Sequence, residues 1–163
     1  MQKEKITTPI LAIHPGKRKM GVAVLEGREL LFWGVVGLRE RDMGVLLDRV
    51  KHRLQALIQT YAPEMVVLEQ PNRVRLKRSP ALLAITSRIS AVALASSLHF
   101  RICDSATVRR RLCGQERATR KNLAEHIVAR YPHLGRYKDR SNQWGKSYWL
   151  PMFAAVAVGL ACQ

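Results

Sequence analysis

The sequence predicts an α/β fold: a five-stranded mixed sheet, made of a three-strand antiparallel meander plus two parallel strands, flanked by helices. Three observations predict it. Three short apolar runs follow one another through tight turns between residues 10 and 36. From residue 44 onward the apolar period alternates between helical and strand spacing. The later run "MVVL" is continuously apolar, as expected of a central parallel strand covered on both faces.

The elements follow in order. Residues 10–14 are apolar and stop at Pro15-Gly16, a strand meeting a turn. Gly21 to Leu25 is a second strand, Glu26-Gly27 a tight connection, and Leu30 to Val36 a third strand, the spacing of a meander. Residues 44–61 put Leu46, Val50, Leu54, Leu57 and Tyr61 on one helical face, with Asp48, Arg49, Lys51 and Arg53 elsewhere. Pro63 stops that helix. Met65 to Leu68 is the fourth strand, and Glu69 follows it. Residues 71–79, "PNRVRLKRS", read as a basic loop whose alternation suggests an extended arm. Residues 80–98 form a closely packed helix, and "HFRIC" is the fifth strand. Asp104 or Ser105 caps a short helix through Leu112, broken by Gly114. Thr119 caps the next, with Leu123, Ile127, Val128 and Tyr131 on its apolar face. After a polar loop over 132–147, the closing helix begins near Trp149 and tolerates Pro151 in its first turn. No repeat or linker interrupts the chain, so a single domain over residues 1–163 is expected.

The formal charge of +16 on 163 residues calls for a polyanionic partner, nucleic acid first. The basic residues cluster. Lys17, Arg18 and Lys19 occupy the first turn, and Arg73, Arg75, Lys77 and Arg78 the segment after Glu69. Arg109, Arg110 and Arg111 are followed by Arg117, Arg120 and Lys121. All three groups are expected near one rim of the sheet, where phosphate contacts give salt-sensitive binding with little sequence preference. Cys103, Cys113 and Cys162 match no zinc spacing and are odd in number, so they read as buried thiols in a reducing cytosol. The polar N-terminus lacks the apolar core of a signal peptide, and "YWLPMFAAVAVGLACQ" is too short to span a bilayer. The expectation is a cytoplasmic protein without a membrane partner, nucleoid-associated if bacterial.

Two residues at strand ends are candidates for chemistry: His14, directly before Pro15-Gly16, and Glu69, directly after "MVVL". A carboxylate at the end of a buried strand is costly unless it binds something. The hairpin "ILAIHPGKRKMGVAVLEG" resembles the opening of the RuvC-like Holliday-junction resolvases, in the RNase H (retroviral-integrase-like) superfamily. In that family the first strand ends in an Asp followed by x-Gly, and a second glycine opens the next strand. Gly16 and Gly21 match, and His14 stands in the Asp place. "MVVLEQP" resembles the second motif, with Glu69 at its catalytic Glu. "VRRRLCGQERATRKNLAEHIVARYP" is similar to the basic helix-loop segment that faces DNA, and "FAAVAVGLA" to the closing helix. The Asp slot of that helix holds Ala154, and the slot three residues earlier holds Pro151. A one-residue shift substitutes Leu150 and Phe153, which donate nothing either.

The resemblance implies an RNase H-like fold, a DNA-junction ligand, a homodimer and a crossover-junction endodeoxyribonuclease using Mg2+ or Mn2+. Three of the four acidic positions are not acidic, which removes most of the charge that two-metal cleavage needs. Residues 70–80 also lack the aromatic wedge that the family carries there. The first expectation is therefore a degenerate nuclease that binds branched or structured DNA, or RNA, without a cofactor. In it His14 and Glu69 are vestigial and satisfy each other. A His14–Glu69 pair holding one softer ion is the metal-site variant of this reading. An active metal-dependent endonuclease using Glu69, His14 and a further acid, Asp104 or Asp139, is the alternative. A basic subunit of a nucleoprotein assembly is the third. Trp144, Tyr148 and Trp149 are candidates for stacking on bases.

Overall fold

The structure, a computed structural model, describes residues 7–138 and 148–163. Its strands are β1 (Pro9–His14), β2 (Lys19–Glu26), β3 (Glu29–Gly37), β4 (Met65–Gln70) and β5 (His99–Asp104), in the order β3-β2-β1-β4-β5. β1 and β3 both run antiparallel to β2, while β4 is parallel to β1 and β5 to β4. This is the expected mixed sheet. The helices are α1 (Met43–Tyr61), α2 (Arg73–Arg78), α3 (Pro80–Ala95), α4 (Ser105–Cys113), α5 (Arg120–Arg130) and α6 (Leu150–Ala161), with a 3-10 turn over Pro132–Leu134.

Local chemistry sets the helix ends. Asp42 accepts from the Val45 N–H at 3.0 Å to start α1, and Ala62, in a left-handed conformation (φ 47°), ends it before Pro63. Asp104 caps α4 through the Thr107 N–H at 2.7 Å, and Gly114 (φ 73°) closes that helix. Thr119 and Asn122 form a reciprocal capping box on α5.

Strand alternation divides the core into two layers. Ile10, Ala12, Ala23, Leu25, Val67 and Cys103 face α4, α5 and α6. Leu11, Ile13, Met20, Val22, Val24, Val66 and Leu68 face α1 and α3. Both faces of the central strands are covered, which is why "MVVL" reads as an unbroken apolar run. Two glycines let α6 lie against the sheet. A Cβ on Gly21 would sit 1.7 Å from the Pro151 carbonyl oxygen, and one on Gly159 would sit 2.4 Å from Leu25 Cδ1.

Three expectations are corrected. The segment after Glu69 is not an extended arm: Asn72 accepts from the Val74 N–H at 2.8 Å and starts α2. Six residues of alternating charge are too few to separate the two periods, and the cap decides. Glu69 also lies within β4 rather than beyond it. Finally, Cys103 and Cys162 are joined in a disulfide, with Cα atoms 6.9 Å apart, leaving Cys113 free. Cysteine counting could not show that β5 and the end of α6 bring two thiols together across 59 residues. Among the described residues no helix is long and apolar enough to cross a membrane. Asp139 and Trp144 lie outside the described residues.

Candidate nucleic-acid interface

β1, β4 and β5 run parallel, and their carboxyl ends form one edge. Ile13 stands opposite Leu68, Glu69 opposite Cys103 and Gln70 opposite Asp104. His14 has the parity of Ala12, and Glu69 that of Val67, so both side chains point to the α6 side of the sheet. They meet there: His14 Nδ1 lies 2.5 Å from Glu69 Oε2. An ionised carboxylate only accepts, so Nδ1–H is the donor and Nε2 is the ring nitrogen left over. The Ser105 hydroxyl donates to Glu69 Oε1 from the first residue of α4. Both carboxylate oxygens are thus engaged.

Glu69 is the buried charged residue of this edge, 9% exposed. Burial pushes its pKa up, but the His14 hydrogen bond and charge, the Ser105 hydrogen bond and the Arg109 charge outweigh it. The net effect holds the carboxyl below its ordinary range. Asp104 is lowered as well, first by the Thr107 backbone N–H and then by the Thr107 hydroxyl. Those two bonds, at 2.7 and 3.0 Å, commit it to capping α4.

A cavity of about 1000 Å3 opens over this edge. His14, Glu69, Pro151 and Ala154, the four positions that the resemblance aligns with acids, all line it. So do Lys17, Arg18 and Lys19 from the β1–β2 turn, Arg73 and Arg75 from α2, Arg109 from α4 and Arg120 from α5. Seven cationic side chains therefore surround two carboxylates, Glu69 and Asp104. With low-dielectric walls below, such a concave surface concentrates positive potential and attracts phosphates.

Each of the three basic clusters reaches the cavity, but not every member does. Lys77, Arg78, Arg110, Arg111, Arg117 and Lys121 do not line it. Arg110 pairs with Glu116 at 2.6 Å, and Lys121 lies 4.0 Å from Glu125. Arg111 donates to the Ala161 carbonyl at 2.7 Å and so anchors the C-terminus of α6. Sequence reading missed Ser105 as a partner of Glu69 and Arg109 as the charge facing it. Once β5 pairs with β4, with Glu69 opposite Cys103 and Gln70 opposite Asp104, Ser105 begins α4 at the same sheet edge.

The strand order and helix placement are those of the RNase H-like architecture, and the chain has a RuvC-like fold. Thermus thermophilus RuvC superimposes with a TM-score of 0.72 at 18% identity, covering 94% of this chain and 92% of that one. T. thermophilus RuvC in complex with a Holliday junction substrate gives 0.75 at 16% identity over the same shares. The yeast mitochondrial Holliday junction resolvase Ydc2 gives 0.67 at 12% identity, covering 98% of this chain and 79% of that one. No protein-family model matches the sequence, and no curated protein matches it.

Proposed function

We propose that this protein binds branched or structured nucleic acid, DNA foremost, in the basic cavity at the carboxyl edge of β1, β4 and β5, and that its nuclease centre is degenerate. The observation that carries this reading is the charge balance there: seven cationic side chains around two carboxylates, Glu69, which accepts from His14 and Ser105, and Asp104. A phosphodiester fits that balance directly. The solved RuvC complex with a Holliday junction supports a junction as the ligand.

The donor set argues against two-metal cleavage. Two divalent ions about 4 Å apart repel by roughly 17 kcal/mol at an effective dielectric of about 20, and carboxylates must offset that repulsion. Glu69 is one carboxylate, Pro151 and Ala154 offer no side-chain ligand atom, and His14 offers a nitrogen, which brings no negative charge, where Mg2+ favours oxygen. Asp104 is the further acid on the cavity wall, and its hydrogen bonds to Thr107 hold it at the α4 cap. These residues do not fit a pair of Mg2+ ions.

A homodimer accords with the outer face of α3. Leu83 and Leu94 there are 54% and 67% exposed, and eleven residues of helix bring them to the same side. Light scattering on purified protein tests it; a monomer at micromolar concentration argues against it.

Gel-shift competition tests the main reading. A four-way junction, a linear duplex and a structured RNA are compared in EDTA and in Mg2+. The expected result is tight junction binding that EDTA leaves unchanged. Cleavage products that disappear in Glu69→Gln support the active-endonuclease reading instead. A marked preference for structured RNA points to a nucleoprotein subunit.

A further inference from the structure

Beside the cavity, against Lys19 of its lining, stands an exposed aromatic group. Tyr148, just before α6, is 39% exposed. Its ring packs edge-on with Trp149, centroids 4.8 Å apart, and Trp149 packs on Tyr137 with centroids 4.6 Å apart. The Lys19 ammonium lies over the Tyr148 ring, 4.9 Å from its centroid, and Lys19 is one of the cations lining the cavity. An exposed aromatic ring held edge-on by Trp149, which Tyr137 backs, next to a basic cavity has the two parts of a single-strand site: a stacking plane and backbone charge. The α2 side has only the second part, because residues 70–80 contain no aromatic side chain.

We infer that Tyr148, braced by Trp149 and Tyr137 and capped by Lys19, is a stacking platform for an unpaired nucleobase whose neighbouring phosphates sit in the basic cavity. The inference rests on the nucleic-acid reading above and narrows the ligand to nucleic acid with unstacked bases beside a duplex arm, such as a flap, a fork or an open branch point. A fully paired duplex offers no free base face and gains nothing from Tyr148. Rigid support matters here. A ring already ordered by neighbours loses little freedom when a base settles on it.

The test compares the wild type with Tyr148→Ala and Tyr148→Phe on three DNAs of equal length: a blunt duplex, the same duplex with a single-stranded flap, and a four-way junction. The flap carries 2-aminopurine next to the branch, so stacking reads out as quenched fluorescence. In Tyr148→Ala, flap binding is expected to weaken about 5- to 100-fold and the quenching to vanish, with duplex binding unchanged. Tyr148→Phe keeps the ring and is expected to stay within about twofold of wild type. Unchanged flap affinity and quenching in Tyr148→Ala would overturn the inference while leaving nucleic-acid binding intact. So would an equal loss on the blunt duplex, since that reports a damaged surface rather than a lost stack. A wild-type protein that binds none of the three DNAs refutes the broader reading and this one with it.

Discussion

Replacing His14 with alanine strips the buried Glu69 carboxylate of its nearest partner. At the 2.5 Å separation the gross attraction between the charged groups is about 7 kcal/mol at an effective dielectric of about 20. Most of this is offset by the cost of removing both groups from water. What survives is the net value of a hydrogen bond to a charged group, about 1.5–3 kcal/mol. The His14 side chain is 27% exposed, and solvent screening brings the figure to its lower end, about 1–2 kcal/mol. The pH dependence has a definite sign. The pKa of Glu69 is depressed in the folded state, so its contribution is present above about pH 4.3, the unfolded glutamate value. That contribution is lost as the pH falls through the depressed folded value. His14→Ala removes a lowering influence and leaves burial less opposed, so the Glu69 pKa rises. Urea unfolding of both proteins at about pH 6 and about pH 3 is the assay. The stability gap is expected to be near 1–2 kcal/mol at the higher pH and to shrink at the lower. An unchanged midpoint in the variant, or an equal gap at both pH values, would refute the argument that this pair is held together by charge.

Three further outcomes are expected. Gly21→Ala puts a methyl group into the Pro151 carbonyl, so α6 must shift; a loss of about 1–3 kcal/mol in urea unfolding, with weaker junction binding, is expected. Cys162→Ser opens the loop closed by the Cys103 disulfide, and a loss of about 2–4 kcal/mol is expected under non-reducing conditions. Dithiothreitol should bring the wild type down to the same midpoint and leave the variant unmoved. The double change Arg73→Ala with Arg75→Ala removes two cavity cations, so the slope of log affinity against log salt should flatten by about 2, whereas Lys77→Ala with Arg78→Ala should change it less.

The sheet was legible because its cues are short-range. Apolar runs, Gly27 and Pro63 set the strands and their punctuation, and Asp104 and Thr119 are caps that the structure uses as such. The nearness of His14 and Glu69 was legible only through the family likeness, because 55 residues separate them and nothing local links them. What stayed hidden depends on packing. α2 looked extended because Arg and apolar residues alternate over a span too short to fix a period. The disulfide follows from the last helix ending beside β5, and the Ser105–Glu69 bond from β5 lying beside β4; no cysteine spacing or cap preference encodes either. Charge clustering does not give each residue's direction: Arg109 reaches the cavity while Arg110 and Arg111 turn to Glu116 and Ala161.

The most direct measurement is the affinity and integrity of a labelled four-way junction during a titration from EDTA into millimolar Mg2+ or Mn2+, with Glu69→Gln alongside. The expected result is an intact junction and a dissociation constant that does not depend on the divalent ion, apart from its ordinary screening, in both proteins. Junction cleavage that begins with Mg2+ or Mn2+ and is lost in Glu69→Gln would contradict it.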